Sequence, residues 1–334
     1  MNYQQILDIG IKDLKISKIQ NPSLDSELIL SKVLNKTREE ILINFRSSIN
    51  ETQINKFNKY LNRRKKKEPM AYILGYKYFW KYKFLVNKSV LIPRLDTEII
   101  IEQSLKYLEA DKSKSILDIG TGSGCIVISI LKERPKCRAK ALDVSNKALK
   151  VAKSNAKLHH LENNIEFINI DIDKYVSNKY DLILSNPPYI KSLSLNRLDD
   201  DIKFHEPKLA LSGGLDGFCK IKKVIKKSKK LLKNGGKLII EIGNDQKNQV
   251  LLLLKKNGFY INNFSKDLSG KVRCIVSTNI NRWTILKIII EGIDTSIVEI
   301  ETLETGMAMG IKVMENLTVT LNSKEKILEK IIKM

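Results

Sequence analysis

Between residues 115 and 131 a β-type run, Ser115-Ile116-Leu117-Asp118-Ile119, passes through Gly120-Thr121-Gly122-Ser123-Gly124 into an apolar segment from Cys125 to Leu131. This strand, Gly-rich turn and helix restrict the chain to a small set of α/β architectures. In doubly wound sheets a nucleotide-type ligand sits against such a turn, because glycine permits close backbone approach and the helix start offers unpaired N–H groups. The glycines fall as G-x-G-x-G after an aspartate, which is neither the G-x-G-x-x-G of dinucleotide binding nor a phosphate loop with its lysine. The spacing favours an adenosine-plus-amino-acid ligand. The candidate contacts are Asp118, Gly120, Thr121, Gly122, Ser123 and Gly124.

The next strand, 138–143, ends in Asp143 about twenty residues beyond the glycines, where an acidic group grips ribose hydroxyls. The competing role for Asp143 is capping of the helix that starts near Ser145, although Ser145 can itself cap. A third strand, 165–170, leads to Asp171-Ile172, a position from which a side chain reaches an adenine edge; Asp173 competes for that part.

The run Tyr180-Asp181-Leu182-Ile183-Leu184 is followed by Ser185-Asn186-Pro187-Pro188-Tyr189. Consecutive prolines fix φ and exclude helix, so the Asn186 amide and the Pro187 carbonyl can both accept hydrogen bonds from one planar NH2 group. Asn-Pro is also ordinary turn punctuation. Its place beside a Gly-rich turn and two strand-end aspartates favours the ligand-holding role.

The 334 residues are 43% hydrophobic, with no apolar run long enough to span a bilayer, and two domains with substantial cores are expected. The segment from Met1 to Leu14 carries polar and acidic residues at helical spacing and lacks the basic start and apolar centre of a signal peptide, so a cytoplasmic location is expected. Cys125, Cys137, Cys219 and Cys274 lack metal-ligand spacing and are expected to be small core residues. No metal is expected. A net charge of +22 suits acidic partners or nucleic acid. It also follows from a Lys-, Ile- and Asn-rich composition throughout, and the basic runs at 64–67 and 222–230 are read as solvated helix faces in preference to RNA contacts.

Helical spacing broken at Asn21-Pro22 and at 47–50 predicts about four helices before residue 68. Residues 72–92, rich in Tyr, Phe, Trp and Val, predict a β-hairpin in which Trp80 and Phe84 are core. Strands are then expected at 115–120, 138–143, 165–170, 180–185 and 237–242, with a closing pair near 259–265 and 272–278. Beyond 280 lie strand-like stretches at 285–290, 296–300 and 317–321 and a Lys-rich amphipathic end at 323–333, which fit an added module, a poorly specified tail or a fused reading frame.

With these motifs the chain resembles the protein-(glutamine) methyltransferases of the HemK/PrmC type, which use S-adenosylmethionine to modify peptide chain release factors. The resemblance spans roughly residues 3–278. It is carried by the Gly-rich turn, by Asn186 to Tyr189, and by segments 68–75, 91–98 (with Pro93-Arg94), 206–211 (with Glu206-Pro207), 213–217 and 266–268, with Arg273. Leu95 stands where the family often has a second proline, and Ile172 where it often has an aromatic.

The resemblance implies a class I S-adenosylmethionine-dependent methyltransferase, a Rossmann-like seven-stranded sheet with an N-terminal helical bundle joined by a β-hairpin. It divides the chain into a helical substrate-recognition domain (1–70), a hairpin linker (71–93), a catalytic domain (94–280) and an extension without assigned role (281–334). It implies S-adenosylmethionine as cofactor, bound by the Gly-rich turn with Asp143, Asp171, Ile172 and Asn186. The glutamine of a release-factor Gly-Gly-Gln loop would be held by Asn186, Pro187, Pro188 and Tyr189, with Asn186, Pro187 and Tyr189 acting in catalysis and Glu206-Pro207 closing the pocket. Two other classes share parts of this pattern: an adenine N6-methyltransferase acting on DNA or RNA, which has the same Asn-Pro-Pro-Tyr, and a non-catalytic binder of the cofactor.

Overall fold

The computed structural model describes residues 1–280 and two short strands, Val298–Thr302 and Met309–Val313. The N-terminal helices are α1 (Tyr3–Ile16), α2 (Pro22–Leu34), α3 (Arg38–Ile43) and α4 (Glu51–Lys65). Three of them begin with reciprocal caps, Asn2 with Gln5, Thr37 with Glu40 and Asn50 with Gln53, each satisfying two otherwise orphaned backbone N–H groups. The fourth, α2, starts on Pro22, whose missing N–H costs nothing at that position. Ile6, Leu14, Ile29, Leu30, Ile41 and Phe57 form the bundle core. Helices α1 and α4 approach closely because Gly10 has no side chain: a Cβ there would lie 2.8 Å from the Phe57 ring.

One short helix, α5 (Met70–Leu74), leads into the hairpin β1 (Tyr76–Phe79) and β2 (Tyr82–Leu85). Phe79 and Phe84 are buried and pack edge to face. Trp80 at the turn is half-buried, its indole donating to Glu133. Both aromatics predicted as core therefore belong to packing.

Helix α6 (Glu98–Leu105) precedes the alternating part of the chain: β3 (Ser115–Ile119), α7 (Cys125–Glu133), β4 (Arg138–Asp143), α8 (Asn146–Leu158), β5 (Ile165–Asn169) and β6 (Tyr180–Ser185). Two short helices, α9 (Asp200–His205) and α10 (Lys208–Leu211), intervene before α11 (Cys219–Leu231), β7 (Leu232–Glu241), α12 (Lys247–Lys256), β8 (Phe259–Lys266) and β9 (Val272–Asn279). The seven strands lie in the order β5-β4-β3-β6-β7-β9-β8. All neighbours are parallel except that β9 runs antiparallel to β7 and β8. This is a mixed, Rossmann-like seven-stranded sheet.

Strand parity divides the core. Ile116, Ala139, Ala141, Leu182, Leu184 and Ile239 pack under α6 and α7, while Leu117, Leu142, Ile183, Leu238 and Ile240 pack under α11 and α12. Among the described residues no helix is long and apolar enough to cross a membrane.

Several expectations are corrected. Strand β7 begins at Leu232, five residues before the predicted start, because Leu232 pairs with Tyr180 across a register shift. Arg64, in a run read as solvated, is buried, its guanidinium held by Asp25 and Asp201. Cys125, Cys137 and Cys274 are buried, but Cys219 is exposed at the start of α11. In the C-terminal part, Val298–Thr302 and Met309–Val313 pair antiparallel as β10 and β11. The first overlaps the stretch predicted at 296–300. The stretches at 285–290, 317–321 and 323–333 lie outside the described residues.

Candidate active site

Strands β3, β4 and β6 are parallel neighbours, so their C-terminal ends open on one side of the sheet, where the order reverses. A cavity there is lined by Ile119, Gly120, Gly122, Leu142, Asp143, Val144, Asp171, Ile172, Ser185, Asn186, Pro187 and Pro188, with Ser89 to Leu91 and Lys220 and Lys223 at its margins.

The Gly-rich turn shapes this cavity by what it lacks. Gly120 and Gly122 have φ of +77° and +56°, and a Cβ on either would meet nothing within 4 Å. The turn offers few donors, contrary to the sequence expectation. The N–H groups of Gly120 and Thr121 both donate to Leu142 O at 2.9 Å, that of Gly122 to Asp143 Oδ2 at 2.9 Å, and that of Gly124 to Thr121 O at 2.8 Å. The end of β4 has claimed the first three, and the turn itself the fourth.

Asp143 lines this cavity and leaves the capping of α8 to Ser145. Its Oδ1 accepts from Ser145 N at 2.8 Å while the Ser145 side chain caps α8, and the half-buried carboxylate still faces the cavity. Burial raises its pKa, opposed by the N–H groups of Ser145 and Gly122. Asp171 also lines the cavity, its Oδ1 accepting from Asp173 N, and buried Ile172 adds an apolar wall. Asp173 does not line the cavity and pairs with Lys223, which does.

Asp118, Thr121, Ser123 and Gly124 do not line the cavity. Asp118 lies beneath the turn, fully buried, with Oδ2 accepting from the Thr121 hydroxyl at 2.7 Å and Oδ1 without a partner. Burial pushes its pKa up to about 7, and the Thr121 hydrogen bond only partly opposes this. The Ser123 carbonyl accepts from Asn155 Nδ2 at 2.8 Å, joining the turn to α8.

A second cavity adjoins the first. It is lined by Arg94, Leu95, Asp96, Tyr189, Leu198, Ile202 and Glu241, and it shares Leu91, Asn186, Pro187, Pro188 and Ala210 with its neighbour. The Asn-Pro-Pro segment is therefore a common wall. Ser185 ties that segment to the sheet by donating to Ile119 O at 2.8 Å. Asn186 Nδ2 donates to Thr97 Oγ1 at 3.0 Å, which leaves Oδ1 without a protein donor among the described residues. The amide oxygen and the Pro187 carbonyl are the acceptors the sequence predicts, and both belong to residues of the wall.

Tyr189 lies on the second cavity, its hydroxyl donating to Glu241 Oε1 at 3.3 Å, and its pKa is raised by burial and by that carboxylate. Glu206, buried, pairs with Arg94 and accepts from Ile92 N, bracing the chain that enters the second cavity; Pro207 lines the first. Thr97 and Glu241 were not singled out by sequence. Thr97 lies 89 residues before the asparagine it orients. Glu241 had a usable signal: it ends β7, the parallel neighbour of β6, and strand-end acids were weighted elsewhere.

Two family models match the chain, the PrmC N-terminal domain over residues 5–75 and the methyltransferase small domain over 98–199. The release factor glutamine methyltransferase of Caulobacter vibrioides is 37% identical over 264 residues, covering 79% of this chain and 91% of that protein. That of Clostridium acetobutylicum is 37% identical over 279 residues, covering 82% and 98%. A bifunctional methyltransferase of Rickettsia bellii is 37% identical over 299 residues, 81% of this chain. The match spans only 54% of that longer protein.

Proposed function

Because the chain belongs to the release factor glutamine methyltransferase family, we propose that it transfers a methyl group from S-adenosylmethionine to the side-chain amide nitrogen of the glutamine in the Gly-Gly-Gln motif of peptide chain release factors. The observation that carries this reading is the common wall. Asn186, Pro187 and Pro188 separate a cavity with strand-end acids and side-chain-free glycines from a second, open cavity, as a donor and an acceptor of one group require.

The first cavity suits the methyl donor. Gly120 and Gly122 leave room at the backbone, Asp143 offers a carboxylate to ribose hydroxyls, and Asp171 with Ile172 flanks the adenine. Bound there, S-adenosylmethionine supplies an electrophilic methyl on a sulfonium. The protein must make a poor nucleophile attack it, since the amide lone pair is shared with the carbonyl. Asn186 Oδ1 and the Pro187 carbonyl accept the two amide hydrogens, aim the nitrogen through the wall and stabilise the positive charge that develops on it. Tyr189 packs over the amide plane. No base is required before transfer, because the methylated, cationic amide is acidic and loses its proton afterwards. We assign the helical bundle of residues 1–70 to recognition of the release factor.

The test is mass spectrometry of unmodified release factor incubated with the protein and S-adenosylmethionine, beside DNA and RNA with a labelled methyl donor. One methyl increment on the Gly-Gly-Gln glutamine is expected. Asn186→Ala should lower the transfer rate by about 3 kcal/mol in the transition state, on the order of a hundredfold, with the release factor still bound. Label confined to nucleic acid would replace this reading with adenine methylation, and near-normal turnover in Asn186→Ala would overturn the mechanism.

A further inference from the structure

Tyr189 borders the second cavity from a chain that has already left the sheet, since β6 ends at Ser185. The residue after it, Ile190, is tied along one edge: its N–H donates to Leu211 O at 3.1 Å and its carbonyl receives from Gly213 N at 2.8 Å. The Tyr189 carbonyl is met by a side chain instead, that of Gln246 between β7 and α12. Gln246 is buried, and both ends of its amide are engaged. Nε2 donates to Tyr189 O and to Gly217 O, each at 3.2 Å, while Oε1 accepts from Gly243 N at 2.9 Å. Two carbonyls can only accept and a backbone N–H can only donate, so these partners fix which way the amide faces.

The same stretch of chain sets the Tyr189 ring. Its hydroxyl donates to Glu241 Oε1 at 3.3 Å, and Gly243 lies so close that a Cβ there would be 3.2 Å from Tyr189 Cδ2. Gly217 approaches the Tyr189 carbonyl just as tightly, since a Cβ there would lie 2.6 Å from that oxygen. We propose that Gln246 is a positioning residue for methyl transfer: its amide locks the Tyr189 main chain, and with it the ring placed over the substrate amide. This rests on the glutamine-methylation reading and deepens it.

A buried, fully engaged glutamine can also serve stability alone. Its place in the fold separates the two roles. Tyr189 lines the second cavity and not the first, and Gln246, Gly217 and Gly243 lie outside the lining of the first. Loss of the Gln246 donors would strand the Tyr189 carbonyl and free the ring, while the strand ends that seat the donor keep their contacts. A misplaced ring spoils alignment at the reacting nitrogen, where a shift of about 1 Å can cost about a hundredfold in rate. The expected signature is therefore a slower transfer step at unchanged donor affinity.

Gln246→Met keeps the length of the side chain and removes all three hydrogen bonds. Single-turnover methylation of release factor at saturating donor and acceptor should slow about tenfold, with the S-adenosylmethionine dissociation constant within about twofold of wild type. Gln246→Glu, of the same shape but without donors at pH 8, should be slowed at least as much. A wild-type rate in either variant, or donor affinity lost in proportion to rate, would overturn the proposal. Should both fold poorly, Gly243→Ala decides: its methyl would press on Tyr189 Cδ2 and, at 3.1 Å, on Gln246 Oε1, so the rate should fall several-fold with donor affinity kept. A wild-type rate there would count against the proposal. A substrate-free readout separates this inference from the functional reading. In protein labelled with 3-fluorotyrosine, the 19F signal of Tyr189, assigned by its loss in Tyr189→Phe, should shift or broaden in Gln246→Met and in Gly243→Ala. If it does so while wild type leaves release factor unmodified, the positioning of Tyr189 stands and the substrate assignment falls; if the signal is unchanged, the positioning is wrong whatever the substrate.

Discussion

Asp118 shows how a residue that looks like a ligand contact can serve the scaffold instead. Spacing alone places it directly before the glycines, but parity on β3 turns its side chain into the protein, where it anchors Thr121 and carries an orphaned oxygen. Its folded-state pKa of about 7 lies above the value of about 3.9 for an unfolded chain, so the folded form holds a proton that the unfolded form releases between these values. Its contribution to stability is fully present below about pH 4 and is lost as pH rises through 7, with a slope of about 1.4 kcal/mol per pH unit inside that window. Asp118→Asn keeps an acceptor for Thr121 and cannot ionise. Urea unfolding at pH 4.5, 5.5 and 7 should therefore show the difference between wild type and variant shifting toward the variant as pH rises. A constant difference would mean that Asp118 ionises freely in the folded state. The residues that face the cavity, Asp143, Asp171 and Asn186, were legible because strand ends and prolines fix where side chains go. Thr97 was not, since it acts through a contact across the fold that no local spacing encodes.

At the scale of elements, the turn from β3 to α7 separates two uses of glycine. All three glycines have positive φ, so alanine at any of them costs about 1–2 kcal/mol in backbone strain. At 120 and 122 the added methyl meets no protein atom and projects where the first cavity is walled by backbone, so the larger loss should be in S-adenosylmethionine affinity. At 124 the methyl would lie 2.9 Å from Ile128 Cδ1 and 3.3 Å from Ala152 Cβ, forcing α7 away from α8. Gly124→Ala should therefore melt lowest of the three, whereas Gly122→Ala should bind the donor most weakly relative to its stability. Calorimetric titration and thermal melting on the same samples check this, and parallel losses in all three variants would contradict it. The strands were readable because β-branched runs ended in Gly, Pro or Asp. The start of β7 was not, because Lys233-Asn234-Gly235-Gly236 has turn composition and enters the ladder only through the Leu232–Tyr180 pairing. Nor were α9 and α10, of six and four residues, too short to develop a helical period.

Across the whole molecule, the N-terminal bundle grips the segment that walls the second cavity. Arg64 of α4 donates to Asp25 of α2 at 2.7 Å, to the Glu68 carbonyl at 3.0 Å and to Asp201 of α9 at 2.7 Å, while His205 of α9 meets the Lys66 carbonyl at 3.0 Å. Leu198, just before α9, and Ile202, on it, line the second cavity. One buried guanidinium thus joins bundle core, chain turn and cavity wall. Burial raises the pKa of Asp25, with Arg64 opposing it, so removing Arg64 strands a carboxylate that has neither water nor a cation. Arg64→Ala should destabilise the protein by about 3 kcal/mol at neutral pH. The loss should shrink toward pH 4, because a protonated Asp25 no longer needs its partner. Asp201→Asn leaves the Arg64–Asp25 pair intact and frees only α9, so it should cost under about 1 kcal/mol while raising KM for release factor several-fold. Donor affinity should change less in Asp201→Asn, since most of the first cavity's wall comes from the ends of the sheet strands and only Pro207, Leu209 and Ala210 follow directly on α9. Unfolding measurements beside steady-state kinetics on both variants separate the two effects. A bundle that served only as ballast would give Asp201→Asn a wild-type KM, and a bundle that shaped both cavities would weaken donor and acceptor binding together.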